Sequence, residues 1–192
     1  MATEIELKAH VNDSEELRIT LSGKAEFLHS FEKKDCYWFA EKSGLPSSGF
    51  RIRSEKRSFP DGKEVSLCFA TYKNKEVRDG IEINDEREFS VEPAVEFEEF
   101  ISKLGLKPAR SKEKRGWAYS KNGITAELVE VKGLGWFIEM EIISHTANAE
   151  TFAAGKKRLL DFLAEIGVAN DAIESRFYSE MLNEAANERL QA

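Results

Sequence analysis

The stretch Glu4-Ile5-Glu6-Leu7-Lys8, near the start of the chain, alternates charged and apolar side chains with a strict period of two. In a β-strand, successive side chains point to opposite faces, so Glu4, Glu6 and Lys8 would share one face. Side chains two residues apart on that face are about 6.5 to 7 Å apart, close enough for two carboxylates to hold one divalent cation. The stretch therefore predicts a strand whose charged face either lines a binding site or simply faces water.

Charge at period two recurs in other predicted strands. The same-face pairs are Arg51 and Arg53, Glu86 and Glu88, and Glu139 and Glu141, and Lys73 ends a further strand. On any single strand, solvent exposure explains such a face. Together the pairs favour a closed barrel with helices packed outside and a charged interior that surrounds a highly charged ligand. Both signs of charge would share that interior, because a bare set of buried charges is costly to remove from water.

The rest of the pattern predicts about eight strands, one mid-chain helix and a helical C-terminus. Strands are expected over residues 3–11, 35–39, 50–58, 64–72, 81–91, 110–120, 124–132 and 135–144, and helices after Asn12 and over 93–104, 149–166 and 171–188. Pro60-Asp61-Gly62 and Asn122-Gly123 predict tight turns, and Gly44 to Gly49 predict a loop. Strands and helices do not alternate as in a parallel βαβ protein, so an antiparallel arrangement is favoured.

The expected fold class is therefore α+β: a closed eight-stranded antiparallel β tunnel, or barrel, with flanking helices and a helical C-terminus. We expect one domain over residues 1–192, with the tunnel over about 1–145 and the C-terminal helices over about 149–190. These helices could cap the barrel or pair with a second copy of the chain, which leaves a homodimer as one alternative.

The composition restricts the classes of partner. The 192 residues carry a net charge of -7 with a pI near 5.2, which argues against sequence-independent nucleic-acid binding. No apolar stretch approaches the length of a membrane span. The two cysteines, Cys36 and Cys68, have no metal-ligand spacing and are expected to be free thiols. We expect a soluble cytoplasmic protein that binds neither nucleic acid nor membrane.

Several short motifs, in order along nearly the whole chain, resemble those of the CYTH superfamily, the triphosphate tunnel metalloenzymes. They are Glu4-x-Glu6-x-Lys8, Asp35-x-Tyr37, Phe50-Arg51-Ile52-Arg53, Thr71-Tyr72-Lys73, Gly133-Leu134-Gly135-x-Phe137-x-Glu139-x-Glu141 and Arg176-x-Tyr178. The glycine-containing motif and the C-terminal Arg-x-Tyr look most like the class IV adenylyl cyclase branch. The resemblance implies an eight-stranded tunnel that binds a small-molecule triphosphate together with Mg²⁺ or Mn²⁺.

The resemblance also implies roles by motif position. The implied metal ligands are Glu4, Glu6, Glu139 and Glu141, and the implied catalytic residues are Glu4, Glu6, Lys8 and Glu139. The implied substrate ligands are Lys8, Arg51, Arg53, Lys73 and Arg176. A basic group within Lys112-Glu113-Lys114-Arg115 should join them; Arg115 is favoured, with Lys114 as the alternative.

Two positions depart from the family pattern. Val129 stands where the family usually has an acidic residue, four positions before Gly133. Glu127, on the same strand face, or the adjacent Glu130 could substitute; if neither does, Val129→Asp is expected to raise activity with Mg²⁺. Phe177 stands where the cyclase branch commonly has serine, which weakens the assignment to cyclase in particular.

Three functions are compatible with this pattern. The leading one is a divalent-metal-dependent phosphohydrolase that releases phosphate from tripolyphosphate or an organic triphosphate, because hydrolysis needs only the charged clamp. The second is a class IV adenylyl cyclase that converts ATP to cyclic AMP and pyrophosphate. The third is a triphosphate-binding module with little turnover, which the missing acid at Val129 would explain.

Overall fold

The computed structural model describes residues 3–40, 50–78, 80–144 and 148–191, so the expected loop from Gly44 to Gly49 lies outside the described residues. The strands are β1 (Thr3–His10), β2 (Glu26–Ala40), β3 (Phe50–Ser58), β4 (Glu64–Arg78), β5 (Ile81–Ser90), β6 (Leu106–Lys121), β7 (Ile124–Val131) and β8 (Gly135–Ser144). The helices are α1 (Ser14–Lys24), α2 (Ala94–Lys103), α3 (Ala149–Glu165) and α4 (Tyr178–Gln191). None of the helices described is long and apolar enough to cross a membrane.

The eight strands form a closed antiparallel barrel in the order β1-β5-β4-β3-β2-β6-β7-β8, which confirms the predicted fold class. β1 closes the barrel because it pairs with β5 on one side and β8 on the other; Glu6 lies opposite both Glu82 and Glu141. β2 and β6 are longer than predicted, since they pair with each other along nearly their whole length.

The apolar faces of the strands lie outside the barrel, under the helices. Ile5 and Leu7 of β1 are buried in one cluster with Leu159 and Leu163 of α3. Each such side chain contributes about 1.5 to 3 kcal/mol when fully buried. Gly155 lets α3 approach β1, because a Cβ at this position would lie 2.6 Å from the Ile5 side chain. With the apolar faces buried outside, the charged faces of the same strands must point inward.

The second C-terminal helix begins later than predicted. One short 3₁₀ turn covers Asn170–Ala172, and Ile173 then pairs with Ala9 in an isolated antiparallel bridge. The backbone N–H of Glu174 donates to the carbonyl oxygen of Lys8 at 2.9 Å. The expected helix start near Asp171 is therefore wrong. The backbone of this segment forms hydrogen bonds with β1 instead of the hydrogen bonds of a helix.

The start of α4 covers part of one end of the barrel. Tyr178 and Met181 are buried in an apolar cluster with Phe137 of β8 and Val129 of β7. The ring of Tyr178 meets that of Phe137 edge-on, with centroids 5.0 Å apart. Of the two roles considered for the C-terminal helices, capping the barrel is the one that these contacts show.

Candidate active site in the barrel interior

The barrel encloses a cavity of about 200 Å³ to which all eight strands contribute charged side chains. The acidic members include Glu4, Glu6, Glu82, Glu86, Glu139 and Glu141, and the basic members include Arg51, Arg53, Lys73, Lys112 and Lys114. The two signs pair throughout the cavity, as Lys114 with Glu139 and Arg51 with Glu86 show, but two clusters stand out. One set of carboxylates surrounds Lys73, and one set of bases surrounds Asp35.

Lys73 of β4 lies among three carboxylates. Its Nζ is 2.7 Å from Glu4, 3.2 Å from Glu6 and 3.0 Å from Glu86. Burial alone would lower the pKa of Lys73, but the carboxylates of Glu6, Glu86 and Glu4 raise it well above its usual value. The ammonium group thus occupies a place that these oxygens make favourable for a cation.

The pKa values of the two β8 carboxylates, Glu139 and Glu141, are shifted in opposite directions. Burial would raise the pKa of Glu139, but the Lys114 ammonium, 2.6 and 2.8 Å from its two oxygens, lowers it to about 2. Burial raises the pKa of Glu141 to about 8, and the nearby charges of Glu4 and Glu6 add to this effect. Glu139 is thus held by a lysine, whereas the environment of Glu141 disfavours a negative charge and would accept one more readily beside a cation.

The acidic residues fit a hard divalent cation by donor type. Glu4, Glu6 and Glu141 offer carboxylate oxygens, and the buried amide oxygen of Asn84, opposite Glu4, has no hydrogen-bond partner in the part of the chain that the structure describes. Within the described ranges, no group of three acidic, histidine or cysteine side chains is spaced so that it could hold a metal ion as it stands. Lys73 explains this, since its ammonium holds the carboxylates in the arrangement described above. A cation would take the place of that ammonium.

Asp35 of β2 organises the basic side of the cavity. It is fully buried, and Arg53 donates to its carboxylate from Nε at 2.7 Å and from Nη2 at 3.0 Å. Arg51 and Lys112 lie 3.5 and 3.3 Å from the same carboxylate. Burial would raise the pKa of Asp35, but Arg53, Arg51 and Lys112 hold it well below its usual value. Asp35 thus keeps three cationic side chains together without a bound anion.

Tyr37 adds a polar group to this cluster. Lys112 Nζ donates to its hydroxyl at 3.1 Å. Burial would raise the pKa of Tyr37, but the charge of Lys112 lowers it to about 8. The hydroxyl and the ammonium are therefore both available to an anion that enters between them.

Asp35→Asn should destabilise the protein by about 3 kcal/mol at pH 7, because three buried cations lose their common counter-ion. The folded-state pKa of Asp35 is depressed below the unfolded value of 3.8, so its contribution is present above about pH 4 and is lost as the pH falls below it. Urea unfolding of wild type and variant at pH 7, 5, 4 and 3 should show a constant difference down to pH 5 that shrinks below pH 4. Equal stability at pH 7 would remove Asp35 from this role.

The structure corrects the placement of Arg115. Lys112 and Lys114 of β6 point into the barrel, whereas the Arg115 side chain is 70% exposed and pairs with Glu130 on the outer face. A shift of one residue along a strand inverts the face, so the alternative, Lys114, is the interior residue. The same alternation of strand faces separates the two proposed substitutes for Val129. The side chain of Glu130 lies outside the barrel, and that of Glu127 lies inside it.

Three other positions clarify the predicted site. Glu127 is bound by Lys33, whose Nζ lies 2.5 and 2.7 Å from its two oxygens. Lys8 is buried and donates to Glu82 at 2.6 Å. Arg176 is not brought into the cavity; its half-exposed side chain pairs with Glu174 and Glu184.

Several interior residues were not predicted, although a period of two marks some of them. Lys33 shares its strand face with Asp35 and Tyr37, and Glu82 and Asn84 extend the series of Glu86 and Glu88. The strand at β2 was predicted only from Asp35; the strand at β5 was predicted from residue 81, but its charged face only from Glu86. Continuing the alternation toward the start of each strand would have found them.

Comparisons with known proteins agree with this fold. The model of the family described as "CYTH domain" matches residues 2–178. A protein of Methanocaldococcus jannaschii, named as a proposed adenylate cyclase, is 23% identical over 181 residues, which cover 93% of this chain and 97% of that protein. The structure of a Pyrococcus horikoshii protein superposes with a TM-score of 0.77 at 26% identity and covers 94% of this chain and 98% of its own.

A plant structure shares the fold at lower identity. It is a proposed adenylyl cyclase from Hippeastrum, described as having a dominant triphosphatase activity. Its TM-score is 0.65 at 17% identity, with 96% of each chain covered.

Proposed function

This chain belongs to the CYTH domain family, and we propose that it is a divalent-metal-dependent phosphohydrolase that releases phosphate from tripolyphosphate or an organic triphosphate. The observation that supports this most is the division of one enclosed cavity into a carboxylate cluster around Lys73 and a cationic cluster around Asp35. A triphosphate with a bound cation has the same two requirements, oxygen ligands for the metal and cationic donors for the phosphates.

The basic residues would bind the phosphates. Arg51 and Arg53 can each present two N–H groups to phosphate oxygens, and Lys112 lies beside them. Because Asp35 already holds these groups in place, little side-chain freedom would be lost on binding. Lys73 would move from the carboxylates to the substrate, so that it would exchange one set of oxygen ligands for another.

The carboxylates of Glu4, Glu6 and Glu141 would hold Mg²⁺ or Mn²⁺, joined by Glu139 if Lys114 turns toward the substrate. Such a cation supplies polarisation of a phosphoryl oxygen and neutralisation of its charge. Water would attack the terminal phosphorus, and the bond to the bridging oxygen would break. The cationic side chains would offset the charge on the departing diphosphate, and a carboxylate left free of the cation would accept the proton of water.

An adenylyl cyclase is the second candidate. The name of the Methanocaldococcus jannaschii relative and the motif Arg176-x-Tyr178 favour it. The same clamp would then hold ATP, the ribose 3′-hydroxyl would attack the α-phosphorus, and pyrophosphate would leave. Phe177 and the position of Arg176 outside the cavity argue against this choice. The third candidate, a binding module with little turnover, is favoured by Val129, which stands where the family usually has an acidic residue.

Arg53→Ala should weaken substrate binding by about tenfold or more, because it removes a buried guanidinium that bonds charged oxygens. The matched control is Arg115→Ala, which truncates an exposed arginine on the outer face. Calorimetric titration with tripolyphosphate in the presence of Ca²⁺ would measure both affinities. Unchanged affinity in the Arg53 variant would exclude Arg53 from the phosphate site.

Two further proposals concern the location of the protein and its oligomeric state. A cytoplasmic location fits the two free cysteines, Cys36 and Cys68. A homodimer through the C-terminal helices is directly testable by light scattering of the purified protein, which would give twice the monomer mass of 21.8 kDa.

A further inference from the structure

Asn84 of β5 lies on the same strand face as Glu82 and Glu86, which line the cavity, and has no role in the function proposed above. It is fully buried and stands directly opposite Glu4 in the β1–β5 register. Facing side chains in such a pair have Cβ atoms about 4.5 to 5.5 Å apart. Asn84 and Glu4 are therefore neighbours on the inner face of the barrel.

The hydrogen bonding of Asn84 fixes the orientation of its amide group. Its Nδ2 donates to Glu6 Oε2 at 2.9 Å. An ionised carboxylate only accepts hydrogen bonds, so the amide must turn its nitrogen toward Glu6. The amide oxygen, Oδ1, is then left buried without a donor among the described residues. A buried carbonyl oxygen in this state is unfavourable, and a cation beside it would satisfy it.

We propose that Asn84 is a ligand of the divalent cation and supplies a neutral oxygen beside the carboxylates of Glu4 and Glu6. This inference rests on the proposed function, since it assigns a further residue to its metal. A neutral donor suits the position because Glu4, Glu6 and Glu86 already repel one another, and a further carboxylate would add to that repulsion. Amide oxygens are ordinary ligands of hard divalent cations.

A purely structural alternative is that Asn84 only positions Glu6 through its Nδ2. The two roles respond differently to substitution. Asn84→Ala removes both the oxygen and the N–H donor. Asn84→Asp keeps an oxygen in the same place but removes the donor to ionised Glu6. A metal ligand tolerates aspartate and not alanine, whereas a positioning residue tolerates neither.

The test is the affinity of the substrate-free protein for Mn²⁺ at pH 7.5, measured from the electron paramagnetic resonance signal of free Mn²⁺. Asn84→Ala should bind Mn²⁺ about 10 to 100 times more weakly than wild type. Asn84→Asp should bind at least as tightly as wild type. Asn74→Ala, at an exposed asparagine of the neighbouring strand β4, should not change the affinity. Thermal unfolding in EDTA would establish that each variant is folded. If Asn84→Ala does not fold, Asn84→Ser would be measured in its place.

Each of the other outcomes contradicts either this inference or the proposed function. If wild type binds Mn²⁺ and Asn84→Ala binds it equally well, Asn84 is not a ligand, and the proposed function stands. If Asn84→Asp is as weak as Asn84→Ala, Asn84 acts only by positioning Glu6. If wild type binds no Mn²⁺ but releases phosphate only with added Mg²⁺ or Mn²⁺, the cation enters with the substrate and this inference alone fails. If wild type binds no Mn²⁺ and phosphate release needs no added metal, the metal requirement of the proposed function fails as well.

Discussion

Glu6→Gln should lower the rate of phosphate release from tripolyphosphate by at least about a hundredfold, which is the upper end of the effect of residues that only support metal ligands. Glu6 lies in the acidic cluster, where its carboxylate contacts Lys73 at 3.2 Å and Asn84 at 2.9 Å. Glutamine keeps the shape of the side chain but removes the charge that a divalent cation requires. The loss should therefore appear in turnover without a loss of fold.

The measurement is phosphate release with saturating Mg²⁺ or Mn²⁺, for wild type, Glu6→Gln and the control Glu76→Gln. Glu76 is an exposed glutamate of β4 that pairs with Arg78, and its replacement should leave the rate unchanged. Thermal unfolding would show that both variants are folded. A Glu6→Gln enzyme with the wild-type rate would mean that Glu6 does not bind the metal.

Val129→Asp should destabilise the protein by at least about 3 kcal/mol, because it places a carboxylate in an apolar environment. Val129 is fully buried in a cluster with Phe137, Tyr178 and Met181 at the end of the barrel that α4 covers. This expectation replaces the one drawn from the family pattern, in which an acid at this position would complete a metal site and raise activity.

Urea unfolding of wild type, Val129→Asp and Val129→Ala at pH 7 would measure the effect. The alanine variant should lose only about 1 to 2 kcal/mol, as expected for removal of buried methyl groups without an added charge. A Val129→Asp protein that is as stable as wild type and more active with Mg²⁺ would instead place an acid at this position in the metal site.

The barrel was predictable because the alternation of apolar and charged residues within each strand indicates which face of that strand is buried. In β1 the apolar residues Ile5 and Leu7 alternate with charges, and a closed sheet with helices outside buries the first set and places the second in the barrel interior. The start of α4 was not predictable in this way. It depends on the bridge between Ile173 and Ala9, which are distant in sequence.

Most of the residue types in the candidate site were predictable from the sequence, but the ion pairs between them were not. Arg115 and Lys114 are adjacent bases, and nothing local fixes which of them faces inward; the register of β6 against β2 and β7 decides it. The ion pair between Lys114 and Glu139 is equally non-local. Such pairs determine which carboxylates are free for a cation, so the metal ligands cannot be ranked from sequence alone.

The most direct test of the central claim is analysis of the products after incubation of the purified protein with tripolyphosphate or ATP, each with Mg²⁺ or Mn²⁺. We expect metal-dependent release of orthophosphate from tripolyphosphate and no cyclic AMP from ATP. Cyclic AMP with pyrophosphate would contradict the hydrolase and establish the cyclase. No product from either substrate, with tripolyphosphate still bound, would contradict an enzymatic function and leave a binding module.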